Sequence, residues 1–103
     1  MRQYNPPHPG KFIRRTYIEP FEVSARQIAG FLKVSPSTFS RLIAEQNRVT
    51  PDMAIRLSKV LGRSPQSWLQ MQMNHDLWQA EQKQPHEHLQ QLELARGEKS
   101  AEV

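Results

Sequence analysis

The stretch that decides the fold runs Ser24-Ala25-Arg26-Gln27-Ile28-Ala29-Gly30-Phe31-Leu32-Lys33-Val34-Ser35-Pro36-Ser37-Thr38-Phe39-Ser40-Arg41-Leu42-Ile43. Ser24 with Gln27 three residues on is a capping box, which starts a helix over roughly 25–32. Ser35-Pro36 starts a second over 36 to about 44, with a hydroxyl at the N-cap and a proline at the first helical position, where its missing N–H costs nothing. Val23 and Ile28 bracket the first cap as a hydrophobic staple, and Val34 and Phe39 bracket the second. Only Lys33-Val34-Ser35 links the two helices. The small Ala29 allows them to cross closely, and Ile28, Leu32, Val34, Phe39 and Leu42 fill the wedge between them. This is the spacing of a helix-turn-helix, whose second helix lies in the DNA major groove while the first crosses the phosphate backbone.

The outward face of that second helix has the matching chemistry. With Phe39, Leu42 and Ile43 turned inward, Ser37, Thr38, Ser40 and Arg41 point outward. Short hydroxyl side chains permit close approach to base edges, and arginine can pair in bidentate fashion with guanine. These four are the candidate base-contacting residues. Ser24 and Ser35 sit at helix N-termini, where free N–H groups and the positive dipole end favour phosphate. Gln46, Asn47 and Arg48 follow in the next loop. These five are the candidate phosphate contacts. Arg14, Arg15 and Arg26 read equally well as solvated surface charge.

Working outward, Thr50-Pro51 and Ser64-Pro65 repeat the cap-and-proline signal. The stripe Met53, Ala54, Leu57, Val60, Leu61 predicts a helix over 51–61, with Gly62 ready to end it. A helix from Pro65 to about Gln82 carries Trp68, Leu69, Met71, Met73, Leu77 and Trp78. At the other end a helix from about Pro9 to Ile18 places Phe12, Ile13 and Tyr17 on one face, closed by Pro20. A weaker helix is expected from Pro85 to Ala95, bearing Leu89 and Leu92, and the segment from Gly97 to Val103 is expected to fray. No alternating strand pattern competes, so the fold class is all-α, with five to six helices. The DNA-binding domain spans 1–82 and a short helical or frayed tail spans 83–103. Trp68, Met71, Met73, Leu77 and Trp78 lie around more than one face of the fifth helix, which makes it the candidate homodimer interface.

Composition narrows the function classes. The chain has 103 residues, enough for one small domain, and a formal net charge of +4. Residues 1–62 hold ten Lys/Arg against four acids, whereas 63–103 hold four against six. A basic block ahead of an acidic tail suits a polyanion-binding part followed by a part with other work. No apolar run reaches the length of a membrane span, about 18 residues. An apolar signal core is missing after Met1, so a cytoplasmic protein is expected. With no cysteine in the chain, disulfides, thiolate metal sites and cysteine nucleophiles are excluded. Of the four histidines, His8, His75, His86 and His88, only His86 and His88 are spaced closely enough to suggest a metal pair; on a helix they would point apart, and no carboxylate or third histidine lies nearby at ligand spacing. No Ser/His/Asp constellation or phosphate-binding glycine loop is present. Neither an enzyme nor a cofactor or metal is expected.

The opening His8-Pro9-Gly10 through Ile18-Glu19-Pro20, the helix-turn-helix, Thr50-Pro51-Asp52-Met53-Ala54-Ile55-Arg56-Leu57, the run Leu57-Ser58-Lys59-Val60-Leu61-Gly62, and Trp68-Leu69-Gln70-Met71-Gln72 with Asp76-Leu77-Trp78 together resemble the HigA family of antitoxins. These belong to the Xre-type, phage-repressor-like helix-turn-helix group. The resemblance covers roughly residues 8–82. It implies a homodimer that binds operator double-stranded DNA and represses its own operon. It also implies a protein partner, a HigB-like toxin that acts as a ribosome-dependent mRNA endonuclease. A free-standing Xre-type transcriptional regulator without a toxin is the alternative. The chain departs from the family pattern at Lys33, where many relatives have glycine in the turn, at Ala25, where glutamine is usual, and in the loop Ala44-Glu45-Gln46-Asn47-Arg48.

Overall fold

The computed structural model describes residues 5–95. Five helices follow one another: α1 (Pro9–Ile13, continued by a π-helical turn Arg14–Ile18), α2 (Ala25–Leu32), α3 (Pro36–Ile43), α4 (Pro51–Leu61) and α5 (Pro65–Lys83). Among the described residues every regular element is helical.

Each start signal in the sequence forms the bond it encodes. Ser24 Oγ accepts from the Gln27 amide while Gln27 Oε1 accepts from the Ser24 amide, both at 3.0 Å. Ser35, Thr50 and Ser64 accept from the amides of Thr38, Met53 and Ser67. These hydroxyls satisfy N–H groups that have no partner within the helix.

The helix ends are equally local. At the end of α2 the Lys33 amide bonds to the Gly30 carbonyl and the Val34 amide to that of Ala29. At the end of α3 the Glu45 amide bonds to Leu42 and the Gln46 amide to Arg41. Both are Schellman motifs, which require a left-handed residue just past the helix. Lys33 (φ 61°) and Glu45 (φ 64°) fill those positions.

The core gathers Ile13, Ile28, Ala29, Leu32, Phe39, Leu42, Val49, Met53, Ala54, Leu57 and Trp68, with Val23, Val34, Ile43, Val60 and Leu61 packed at its edge. The expected wedge between α2 and α3 is therefore present. Two arginines brace it by bonding to helix-terminal carbonyls. Arg56 donates to the Leu32 carbonyl at 2.7 Å and is held by Asp52 at 2.8 Å. Arg14 donates to the Ile43 carbonyl at 3.0 Å.

Two expectations are corrected. The first helix keeps its α geometry only to Ile13. In the following turn the Glu19 amide bonds five residues back, to Arg14. The helix expected from Pro85 to Ala95 is absent: the segment holds a turn in which the Leu89 amide meets the His86 carbonyl, then irregular chain. Leu89, Leu92 and Leu94 are exposed there and bury no face, and a helix this short does not persist without packing. The expected fraying from Gly97 onward falls outside the described residues.

Candidate nucleic-acid interface

The cap that starts α3 also shapes its outer surface. Ser35 Oγ accepts from the Thr38 amide at 3.1 Å, donates to Thr38 Oγ1 at 2.8 Å, and lies 3.3 Å from Ser37 Oγ. Ser37, Ser40 and Arg41 are exposed, while Thr38 is half-buried against this hydroxyl cluster. Phe39 and Leu42, on the opposite side, are fully buried and fix the rotation of the helix. Among the described residues no carboxylate pairs with Arg41.

Beside α3 opens a groove of about 490 Å³ lined by Thr38, Leu42, Gln46, Asn47, Arg48, Thr50 and Met53. It brings one candidate base-contacting residue together with all three candidate phosphate contacts of the loop. The start of α4 forms its far wall. Ser24 and Ser35, the other candidate phosphate contacts, are exposed at the starts of α2 and α3 but do not line the groove. Ser35 already uses its hydroxyl inside the helix cap.

Arg48 is anchored from below. Its guanidinium pairs with the Asp76 carboxylate on α5. Asp76 Oδ1 accepts from Gln72 Nε2 at 3.1 Å, and Gln72 Oε1 accepts from the Val49 amide at 2.8 Å. Gln72 is buried. Gln72 and Asp76 were visible in the sequence only as part of a family pattern. The signal that marks them is spacing: they follow Trp68 by four and eight residues, so two polar side chains share the stripe of a core tryptophan.

The expected dimer face needs correction. Trp68 is fully buried in the protomer's own core. Its indole N–H donates to the Gly62 carbonyl at 2.9 Å, and its ring meets Phe12 edge-on at 5.8 Å. Met71 is half-buried against the same core and lines a different groove, with Phe12, Arg63 and Asn74. Met73 and Leu77 remain half exposed, each at 50%, and Trp78 is partly buried. Met73 and Leu77 line a shallow groove of about 580 Å³ with Leu69, Ala80, Arg48 and Asp76.

The opening His8-Pro9-Gly10 is structural. Buried His8 caps α1 by accepting the Gly10 amide on Nδ1 at 2.9 Å. The His75 ring stands edge-on to it at 5.1 Å, and His75 Nδ1 lies 3.0 Å from the Pro6 carbonyl, tying the N-terminal segment to α5. Burial, and next the charge His75 can carry, lower the pKa of His8 below its ordinary 6.5.

Comparison with known proteins agrees with this arrangement. The chain is 36% identical to the solved antitoxin GraA, with a TM-score of 0.78 over 89% of this chain and 99% of that one. It is 33% identical to the Pseudomonas aeruginosa antitoxin HigA, solved with the higBA promoter, with a TM-score of 0.74 over 84% of this chain and 98% of that one. The chain belongs to the HigA family of helix-turn-helix antitoxins. Virulence-associated protein I of Dichelobacter nodosus is 44% identical over 75 residues, 73% of this chain and 69% of its own length. No family model matches the sequence. α2 and α3, joined by the three-residue link, form the helix-turn-helix that the family shares. No helix among the described residues is long and apolar enough to cross a membrane.

Proposed function

We propose that this HigA-family chain is the antitoxin of a type II toxin–antitoxin pair. It binds its own operator as a homodimer, represses the operon, and neutralises a HigB-like mRNA endonuclease. The observation that carries the DNA-binding part is the outer face of α3. Ser37, Ser40 and Arg41 stand exposed on a helix whose other side is locked into the core, next to a groove lined by Gln46, Asn47 and Arg48. Arg41 reads a guanine, and Ser37, Thr38 and Ser40 complete the base contacts. Arg48, Asn47, Gln46 and the helix starts at Ser24 and Ser35 meet phosphates.

Met73 and Leu77 on α5 supply the homodimer contact, since half-exposed apolar side chains lining one groove are better covered than solvated. A two-fold dimer places its recognition helices about 34–36 Å apart, one turn of DNA, and so demands a roughly palindromic site. Titration of the chain with the DNA upstream of its own gene tests the proposal. Binding much tighter than to random DNA at moderate salt supports it, and equal binding overturns it. Co-purification with the product of the adjacent gene tests the toxin partner.

A further inference from the structure

Arg48 stands where two grooves meet. One opens beside α3 and the start of α4, the other runs along the outer face of α5, and Arg48 lines both. A closed circuit holds it there. The amide of Val49, the next residue, bonds to Gln72, Gln72 bonds to Asp76, and Asp76 bonds back to the Arg48 guanidinium. The Arg48 side chain is 67% exposed, so its ion pair contributes little to stability. Its effect is on geometry. An unpaired arginine spreads over many rotamers, whereas one tethered edge leaves the other N–H donors of a planar fork aimed in a narrow range.

We propose that Asp76 and Gln72 are positioning residues for DNA binding: they hold the Arg48 guanidinium at the mouth of the groove beside α3, where it meets a phosphate. Helix α5 thereby takes part in DNA binding without touching DNA. The proposal rests on the operator-binding reading above. It runs against simple charge counting, which gives the opposite sign. A carboxylate near DNA repels phosphate, so on charge alone removing it would tighten binding.

The test is a double-mutant cycle on the full chain, using the DNA upstream of its gene across a range of salt. The cycle compares wild type, Asp76→Asn, Arg48→Ala and the double variant. Asp76→Asn keeps the oxygen that Gln72 uses and removes the charge that Arg48 uses. With Arg48 present, Asp76→Asn is expected to weaken binding about fivefold and to flatten the salt slope by about one. In the Arg48→Ala background, where only the charge effect remains, it is expected to leave binding unchanged or slightly tighter and not to weaken it. Equal effects in both backgrounds, or tighter binding in the single variant, overturn the proposal. Melting curves of all four proteins show that the comparison is made on folded chains, and Asp76→Ala provides a second variant if Asp76→Asn melts early. Failure of the underlying reading gives a separate result: the wild-type chain would itself bind its upstream DNA no tighter than random DNA, which removes this proposal too.

Discussion

Gly10 in α1 and Leu42 in α3 are in backbone contact: a methyl group on Gly10 would overlap the Leu42 carbonyl oxygen and crowd Cα of Ile43. The first helix is therefore seated on the end of α3, where Arg14 also donates to the Ile43 carbonyl. Gly10→Ala must push the two helices apart, because the obstructing atoms are backbone. The expected loss is about 3 kcal/mol, at the upper end of the overpacking range. Urea denaturation measures it, and the same titration on Gly30→Ala provides the contrast, since nothing lies within 4 Å of a Cβ there. Gly30 is inside α2, so alanine is expected to stabilise by about 0.5–1 kcal/mol.

Lys33 carries the left-handed turn between α2 and α3 (φ 61°, ψ 41°). That conformation costs a non-glycine residue about 1–2 kcal/mol, and glycine gives back about 0.5–1 kcal/mol in chain entropy. The net expectation for Lys33→Gly is a gain of about 0.5–1 kcal/mol. A higher melting temperature checks it. An unchanged or lower one would show that the lysine side chain does something more for the fold than its exposure suggests.

Arg41 is exposed on α3 and, among the described residues, has no carboxylate partner. Under the proposed function Arg41→Ala loses about 1–3 kcal/mol against the operator and much less against random DNA. Competition binding with operator variants measures this difference. A uniform loss on every sequence would instead assign Arg41 to the phosphate backbone.

His8 gives stability a dependence on pH. Its folded-state pKa is lowered, with burial as the main cause, so the folded chain binds its proton less readily than the unfolded chain does. Stability from this group is complete above the unfolded value near 6.5. It is lost as pH falls below that value toward the folded one. The structural reason is that Nδ1 must stay unprotonated to accept the Gly10 amide. Thermal melts from neutral to mildly acidic pH are expected to show this decline. His8→Asn, which keeps a capping oxygen but does not titrate, is expected to flatten it.

Sequence alone determined the local architecture. The caps at Ser24, Ser35, Thr50 and Ser64 bond to amides three residues away, so neighbouring residues suffice to encode them. The same holds for the α2–α3 wedge, because Ile28, Ala29, Leu32, Phe39 and Leu42 recur with the helical period across a three-residue link. Once that wedge is buried, the rotation of α3 is set, and Ser37, Ser40 and Arg41 have only the outside left.

The tertiary structure decided what depends on partners distant in the chain. Trp68 looked like part of an exposed apolar surface until Phe12, 56 positions earlier, came to lie against it. Tail residues 85–95 carry leucines at helical spacing, but Leu89, Leu92 and Leu94 stay exposed, with no other element among the described residues covering them. Gly10 gave no local sign that the Leu42 carbonyl would stand against it, and Arg48 gave none that Asp76 would hold it. Periodicity reports which side of an element is greasy. Which atoms then meet across the core is set by how the helices stack, and that information lies in no single stretch of the chain.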